Sequence, residues 1–372
     1  MRIVILYNSC WYVYLLRRGL IRALLARGYT ITVVAPRDEY TERVIGLGVA
    51  FQHINLTRCG TNPLRELMLL HKLLGVLRTL KPTVVLSYTA KCNLYAGLCQ
   101  YFLCFRHIPN IAGLGQLFEK SGALRQLIHR FYRTCLSHAA YIFFQNNEDL
   151  EHFLGHHIIE PAQGVRLPGS GVDLDMFCPV VKKETTDRRF LILGRLLPQK
   201  GFPLFITAAK RLKKKHGDRA SFWVLGSPDF ERPDSIALWN EIKQAHADGD
   251  IRYIPKTDSP AAIIQEADVI VLPSYYNEGV PRSLLEGLAC GKPIITTDWK
   301  GCRDTVALNK NGLLCRIRDP KAIEHAMEEY IQMSYPALLG QGQYSRKLAE
   351  NTFDENRIID SYLTAISATT GT

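Results

Sequence analysis

Short apolar segments alternate with longer amphipathic segments along both halves of this 372-residue chain. In the first half, apolar β-branched runs predict strands at 2–7, 30–35, 51–56, 84–88, 110–112 and 141–145. Between them, the periodicity predicts helices at 11–27, 63–80 and 125–137. Alternation of this kind favours a parallel sheet with helices on both faces. We therefore predict a Rossmann-like α/β domain over residues 1–177.

The alternation starts again in the second half. It predicts strands at 190–193, 221–225, 252–253, 267–273 and 293–296, and helices at 202–215, 239–247, 261–266 and 322–332. The segments 169–177 and 182–189 predict a linker. We therefore predict a second Rossmann-like domain over 178–345 and a final amphipathic helix over 345–366. Because α/β folds bind ligands at the carboxyl ends of their strands, two such domains facing one another would leave a ligand cleft between them.

The segment NEGVPRSLLEGLACG, residues 277–291, combines two carboxylates with the start of a helix. Pro281 suits the first helical turn, where an N–H is unpaired anyway, and Gly291 suits a C-terminal stop. The free N–H groups and the helix dipole at this start favour a phosphate. Glu286, about one turn further on, can accept hydrogen bonds from ligand hydroxyls. Together with Glu278, this arrangement predicts a ligand that is half diphosphate and half polyol, namely a nucleotide sugar.

A second motif, LGRLLPQKG at 193–201, places two cations after a predicted strand. Gly194 permits close backbone approach, while Arg195 offers a planar fork and Lys200 a point charge. Cleavage of a nucleotide sugar builds negative charge on the departing diphosphate, and two fixed cations can stabilise it without a metal. Taken alone, the motif also fits a solvated turn. The acidic segment in the same half favours the functional interpretation.

These motifs resemble those of the retaining glycosyltransferases of family 4, which have the GT-B fold. The resemblance rests on GRLLPQKG, on EGVPRSLLEGLACGKPIITTD and on NGLL, and it runs through the second half of the chain. Within the family, GVPRSLLE and GCRDTV are similar to bacterial transferases that build undecaprenyl-diphosphate-linked oligosaccharides. The resemblance implies two facing Rossmann-like domains with a donor cleft between them. It also implies a C-terminal helix, 346–372, that packs back toward the first domain.

The resemblance also implies roles for individual residues. Arg195 and Lys200 would hold the diphosphate and act in catalysis with Glu278, which would contact the transferred sugar. Glu286 would bind the ribose hydroxyls. The remaining donor-site residues implied are Gly194, Gly279, Val280, Pro281, Arg282 and Ser283, and the first-domain candidates are Asn8, Gly113 and Gly115. The chain departs from the family in having Asn8-Ser9-Cys10-Trp11 where many members have a Gly-Gly loop, and no first-domain histidine aligns with the family's.

Charge is unevenly distributed along the chain, which has a net charge of +11. Residues 1–177 contain 19 Lys and Arg against 11 Asp and Glu, whereas residues 178–372 contain 27 against 24. The basic first half favours an anionic membrane surface as a partner. The apolar segments 64–80 and 94–105, which are interleaved or flanked by basic residues, fit either a membrane-facing surface or helices that cover the sheet. We expect no nucleic-acid partner, because basic and aromatic residues do not cluster on one face.

The cysteines lack metal-ligand spacing and sit in apolar settings, which favours a reducing cytoplasm. Asp173-Leu-Asp175 lies in the predicted linker, and we expect no metal and no cofactor besides the donor. No apolar run is long enough to span a bilayer, so we expect a cytoplasmic protein that is peripheral on the inner face of the membrane.

The predicted function is retaining transfer of a hexose or N-acetylhexosamine from a nucleotide diphosphate sugar to a polyprenyl-diphosphate-linked saccharide. Two alternatives are a nucleotide-sugar epimerase of the same fold and a non-catalytic nucleotide-sugar or membrane-binding module.

Overall fold

A computed structural model describes residues 1–56, 62–115, 118, 122–181, 184 and 187–370. Within these residues the chain forms two compact units. One comprises Met1–Ser170 together with the segment from Glu355 onward, and the other is Gly171–Asp354. The first division falls seven residues before the position chosen from sequence, and the second falls nine residues after it. The predicted linker stretch 182–189 lies partly outside the described residues.

The first unit contains a parallel sheet in the order β3-β2-β1-β4-β5-β6-β7. Its strands are β1 (Arg2–Leu6), β2 (Thr30–Ala35), β3 (Ala50–His53), β4 (Val84–Tyr88), β5 (Arg106–Ile111), β6 (Ile142–Phe144) and β7 (Gly164–Arg166). Its helices from the N-terminal part of the chain are α1 (Cys10–Ala26), α2 (Thr41–Ile45), α3 (Pro63–Leu80), α4 (Ala90–Cys99), α5 (Gly122–Leu136) and α6 (Asn147–Gly155).

Strand β1 shows why this sheet must be covered on both faces. Successive side chains of a strand point to opposite faces. Ile3 and Ile5 accordingly enter one buried cluster, and Val4 and Leu6 enter another. A strand buried on both sides reads as a continuous apolar run, which is the pattern that predicted the parallel sheet. That prediction is confirmed for both units.

The second unit contains a parallel sheet in the order β10-β9-β8-β11-β12-β13. Its strands are β8 (Arg188–Arg195), β9 (Ala220–Ser227), β10 (Arg252–Pro255), β11 (Val269–Leu272), β12 (Ile294–Thr297) and β13 (Gly312–Cys315). Its helices are α7 (Phe202–His216), α8 (Pro233–Ala247), α9 (Pro260–Glu266), α10 (Arg282–Ala289), α11 (Pro320–Gln332) and α12 (Tyr335–Leu348). The chain order reverses between β8 and β11, so these neighbouring strands mark the switch point at which α/β sheets bind ligands.

The C-terminal segment differs from the sequence prediction. The single helix predicted over 345–366 is wrong, because α12 is followed by a π-helical turn at Ala349–Phe353 and then by a separate helix, α13 (Glu355–Thr370). Phe353 is buried in the core of the second unit, whereas Tyr362 is buried in the first. The apolar residues of this segment thus belong to two cores. The chain leaves the helical conformation at Asp354 and then enters the core of the first unit.

The two apolar segments considered for a membrane surface lie in different environments. Most of α4 is buried against the sheet, so residues 94–99 of the segment 94–105 are largely core, whereas Tyr101 and Phe102 after the helix are exposed. The N-terminal half of α3 is exposed at Leu64, Leu67 and Met68, and only Leu73 and Leu77 of this helix are buried. Among the described helices, none is both long enough and apolar enough to cross a bilayer.

Candidate active site

The predicted donor residues lie on two loops that follow adjacent strands of the second unit. Strand β8 ends at Arg195 and leads into a short 3-10 turn, Pro198–Lys200. Strand β11 ends at Leu272, and the loop after it carries Glu278 to the start of α10. Because β8 and β11 are hydrogen-bonded neighbours, both loops emerge at the switch point of the sheet.

Backbone contacts hold these two loops together. The Tyr275 N–H donates to the Gln199 carbonyl at 2.9 Å, which ties the β11 loop to the β8 loop. Gly201 has a left-handed φ of 85°, and a Cβ at this position would lie 2.3 Å from the Pro273 carbonyl oxygen. Only glycine fits such an approach without displacing the neighbouring backbone. Lys200 directly precedes Gly201, so the requirement for glycine at this close approach also fixes where Lys200 lies.

Lys200 and Glu278 form an ion pair at the junction of the two loops. Lys200 Nζ lies 3.0 Å from Glu278 Oε2, and the two side chains are 11% and 18% exposed. A pair that is mostly shielded from water is held more firmly than a surface pair and is weakly screened by salt. The sequence-predicted cation and acid are thus brought into direct contact, with the cation fixed at the carboxyl edge of the sheet.

The helix α10 begins beside this pair. Pro281 caps the helix instead of occupying its first turn as predicted, because its ψ of 123° is extended. Gly291 follows the last turn with φ 68°, which confirms the predicted stop. The Ser283 hydroxyl lies in the first turn, is buried, and has no hydrogen-bonding partner among the residues that the structure describes. A buried hydroxyl beside the unpaired N–H groups of a helix start can donate to an anionic ligand.

Glu286 lies on the same helix and is oriented by Arg282. The Arg282 Nε lies 3.1 Å from Glu286 Oε1, and Arg282 Nη1 donates to the Gly171 carbonyl at 2.6 Å. Burial raises the pKa of the Glu286 carboxyl, and the nearby Arg282 guanidinium opposes that rise. Arg282, predicted as a donor-binding residue, therefore has two protein contacts that position Glu286. Sequence reasoning did not identify this positioning contact, although the i, i+4 spacing of the pair is a signal for it.

The first unit presents a second set of loops at adjacent strands. Asn8 follows β1, and Gly113 and Gly115 follow β5, with β4 between these strands in the sheet. The Asn8 Oδ1 atom is buried without a hydrogen-bonding partner in the described part of the chain. Thr89, directly after β4, has φ 73° and ψ 151°, a region that is almost restricted to glycine. Such strain concentrates at functional positions, and no residue type in the sequence signals it.

The Asp173-Leu-Asp175 segment forms a turn in the structure. The Asp173 Oδ1 atom accepts hydrogen bonds from the backbone N–H groups of Asp175 and Met176.

Comparison with known proteins agrees with this fold. Residues 178–352 match the family described as Glycosyl transferases group 1. Over 98% of its length, the chain is 27% identical to N,N'-diacetylbacillosaminyl-diphospho-undecaprenol alpha-1,3-N-acetylgalactosaminyltransferase of Campylobacter jejuni, covering 97% of that protein. It is also 28% identical to the putative colanic acid biosynthesis glycosyltransferase WcaL of Escherichia coli, over 55% of this chain and 52% of that one.

Solved structures share the fold at low sequence identity. Anabaena HepE in complex with UDP and glucose has a TM-score of 0.80 and 13% identity, covering 99% of this chain and 100% of the other. Sucrose-phosphate synthase from Thermosynechococcus elongatus has a TM-score of 0.80 and 16% identity, covering 100% and 99%. The chain is a glycosyltransferase with the GT-B fold, of the hexosyltransferase type. More particularly, the match to the Glycosyl transferases group 1 family covers the part of the chain that carries the β8 and β11 loops.

Proposed function

We propose that this enzyme moves a hexose or N-acetylhexosamine from a nucleotide diphosphate sugar to a polyprenyl-diphosphate-linked saccharide, with retention of configuration. The observation that carries the donor half of the proposal is the convergence of Lys200, Glu278 and the start of α10 at one sheet edge. The acceptor class is supported by the name of the Campylobacter relative, which matches this chain along almost its whole length.

In this proposal the diphosphate is bound by two cationic side chains and by the hydrogen-bond donors of a helix start. Lys200 supplies a point charge, Arg195 a planar fork, and the first turn of α10 its unpaired N–H groups with the Ser283 hydroxyl. As the bond between the sugar and the diphosphate breaks, the charge that grows on the leaving oxygen is stabilised by groups that are already in place. The cations supply this stabilisation themselves, and we therefore propose that transfer needs no divalent metal.

The remaining donor contacts follow from the two carboxylates. Glu286 would accept hydrogen bonds from the ribose hydroxyls, and Arg282 fixes its orientation for that purpose. Glu278 would contact the transferred sugar together with the backbone of Gly279, Val280 and Pro281. Retention by double displacement requires a nucleophilic carboxylate beneath the sugar ring. Because Glu278 is paired with Lys200, we propose attack on the same face from which the diphosphate departs.

The first unit supplies a surface suited to a lipid-linked acceptor. Helices α3 and α5 both pack on α4, and each exposes three large apolar residues on one side, namely Leu64, Leu67 and Met68 on α3 and Leu124, Leu127 and Phe131 on α5. Exposed basic residues are interleaved with them at Arg65, Lys72, Arg125 and Arg130. Apolar side chains flanked by Lys and Arg are typical of surfaces that lie in an anionic membrane interface. We propose a peripheral attachment to the inner face of the cytoplasmic membrane through this apolar-basic surface.

The function is tested by incubating the purified protein with a panel of UDP- and GDP-sugars and a synthetic polyprenyl-diphosphate-linked saccharide. We expect release of nucleoside diphosphate that depends on the acceptor, in the presence of a chelator, and a product whose anomeric configuration matches the donor's. Turnover that strictly requires added metal would contradict the metal-independent part. Conversion of the donor to an epimer in the absence of acceptor would contradict the proposed transfer of the sugar to an acceptor.

Membrane attachment is tested separately by co-sedimentation with vesicles. We expect retention on vesicles that contain anionic lipid at low salt and release at high salt, because exposed charges are screened. Equal retention on neutral vesicles would contradict the electrostatic contribution.

A further inference from the structure

Three histidines of the first unit form a cluster that the proposed transfer reaction does not use. His129 lies on α5, His152 lies near the end of α6, and His156 follows that helix. His152 and His156 are four residues apart, so the helical geometry places them on the same face. One ring nitrogen from each of the three lies within 4.8 Å of the others.

The geometry of the cluster fits a metal ion bound by imidazoles. His129 Nε2 and His152 Nε2 lie 3.2 Å apart. Zn²⁺ binds histidine nitrogen at about 2.0–2.1 Å in tetrahedral sites, which sets ligand nitrogens roughly 3.4 Å from one another. His156 is exposed, so a rotation of its side chain can shorten the remaining distances to that value.

Neighbouring groups prepare the rings for this role. The His156 Nδ1–H donates to the His152 carbonyl at 2.9 Å, which leaves Nε2 of His156 with its lone pair. A backbone carbonyl bound to one ring nitrogen is the usual device that selects the tautomer of a metal-binding histidine. The ring of Phe118 stacks on His129 at 5.7 Å and contacts the edge of His152 at 5.6 Å, so the buried side of the cluster is packed.

The charged groups that lie near His129 include Arg125 and Arg133. The same arginines repel a divalent cation. We therefore expect a site that is weaker than a structural zinc centre.

We propose that His129, His152 and His156 form a binding site for a divalent transition metal of the zinc class, with water in the fourth position. Imidazole ligands select Zn²⁺, Ni²⁺ or Cu²⁺ over Mg²⁺ and Ca²⁺, which prefer oxygen ligands. A bound ion would join α5 to the end of α6. It would thereby stabilise the helix that carries Leu124, Leu127 and Phe131 of the apolar-basic surface.

The test uses the full chain with any affinity tag removed. Zn²⁺ binding is measured by titration calorimetry, and Co²⁺ is added separately to read ligand geometry from its visible absorption. We expect one Zn²⁺ per chain, a tetrahedral Co²⁺ spectrum, no binding of Mg²⁺, and a melting temperature that rises by several degrees when the ion is in large excess over its dissociation constant.

Two variants and a control make the test specific. His156→Ala changes an exposed residue and is expected to fold normally, to bind Zn²⁺ at least tenfold more weakly and to lose the Co²⁺ spectrum. His129→Ala is expected to abolish binding if it folds. His157→Asn is the matched control, because His157 is also exposed and its φ of 52° suits asparagine. Unchanged Zn²⁺ affinity in His156→Ala, or no binding to the unmodified chain, would overturn the proposal.

Discussion

The carboxyl edges of the two parallel sheets are built from similar loops but carry different chemistry. In the second unit, the loops after β8 and β11 bring a lysine and a glutamate to 3.0 Å, beside a helix start with an unpartnered serine hydroxyl among the described residues. In the first unit, the loops after β1, β4 and β5 place Asn8, Thr89, Gly113 and Gly115, none of which is charged. One edge is suited to stabilising a departing anion, and the other to orienting a neutral saccharide.

In the proposed function, this difference separates activation of the donor from placement of the acceptor. Charged groups at the second edge would act where charge develops and would accelerate the chemical step. Neutral groups at the first edge can position a hydroxyl without competing for the diphosphate. If the comparison holds, substitutions at the second edge should lower turnover or donor affinity, and substitutions at the first edge should weaken use of the acceptor. Substitutions elsewhere in the first unit should change stability or membrane binding.

The largest expected effect comes from Lys200→Ala. We expect turnover at saturating donor and acceptor to fall about 100- to 1,000-fold, comparable to the loss of one preorganised charge-stabilising group. Lys213→Ala is the control, because Lys213 forms an exposed pair with Asp218 and should change turnover less than about twofold. Wild-type turnover in Lys200→Ala would end the proposed role of this lysine.

A smaller effect, on binding, is expected for Glu286→Gln. The amide keeps the size of the side chain and can still accept from Arg282, but it weakens the bonds to ribose hydroxyls. We expect nucleoside diphosphate to bind roughly 10- to 100-fold more weakly by calorimetry, which corresponds to one charge-assisted hydrogen bond or two. Burial raises the pKa of Glu286, so holding the ionised carboxylate in the folded protein costs free energy that a neutral amide does not. The variant should therefore unfold at the same temperature or a higher one, and a lower melting temperature with unchanged affinity would contradict this account.

The first unit should instead respond to pH. His107 is buried, its Nε2 lies 2.7 Å from Ser87 Oγ, and burial lowers its pKa to about 3. The unfolded chain binds a proton at this residue below about pH 6.5 and the folded chain does not, so stability falls as pH drops from 6.5 toward 3. We expect a loss of about 2 kcal/mol between pH 6.5 and 5 from this residue.

Urea unfolding of the unmodified chain and of His107→Asn across this range measures the effect. The variant should be less stable at pH 7, where it loses the Ser87 contact, but its stability should depend less on pH. If the free energies of unfolding of the two proteins changed with pH in the same way, the low pKa of His107 would be contradicted.

The smallest expected effect concerns the apolar-basic surface. Leu67 is 64% exposed on α3, and Phe230 is 69% exposed in the second unit. Leu67→Asp should reduce the fraction bound to anionic vesicles severalfold, because it removes an inserted apolar group and adds a repelled charge. Phe230→Asp should have no such effect. Equal losses from both variants would mean that the two units do not differ in membrane contact.

Sequence periodicity predicted most strands of both sheets, because parallel strands buried on both faces leave continuous apolar runs such as 267–273. It did not predict the short last strand of either sheet, β7 or β13. Local chemistry was sufficient for the helix stop at Gly291. Neither periodicity nor local chemistry predicted the break in the helix at Asp354. The break is explained by the burial of Phe353 and Tyr362 in different cores. The strained Thr89 was likewise invisible, because its conformation is imposed by packing and not by its own preference.

The positions of the site residues were predicted more completely than their contacts. The spacing of LGRLLPQKG and NEGVPRSLLEG places Lys200 and Glu278 at one edge once the strands are aligned. The pairing of Arg282 with Glu286 and with the Gly171 carbonyl depends on where the chain enters the second unit, which sequence does not specify.

The central claim is that the β8 and β11 loops of the second unit bind the diphosphate of the donor. It is tested most directly by hydrogen exchange of the backbone amides with and without UDP or GDP. We predict slower exchange for amides at 194–201 and 279–286 when the nucleotide that serves as the donor's carrier is added. Protection confined to the first unit, with these two segments unchanged, would contradict the account.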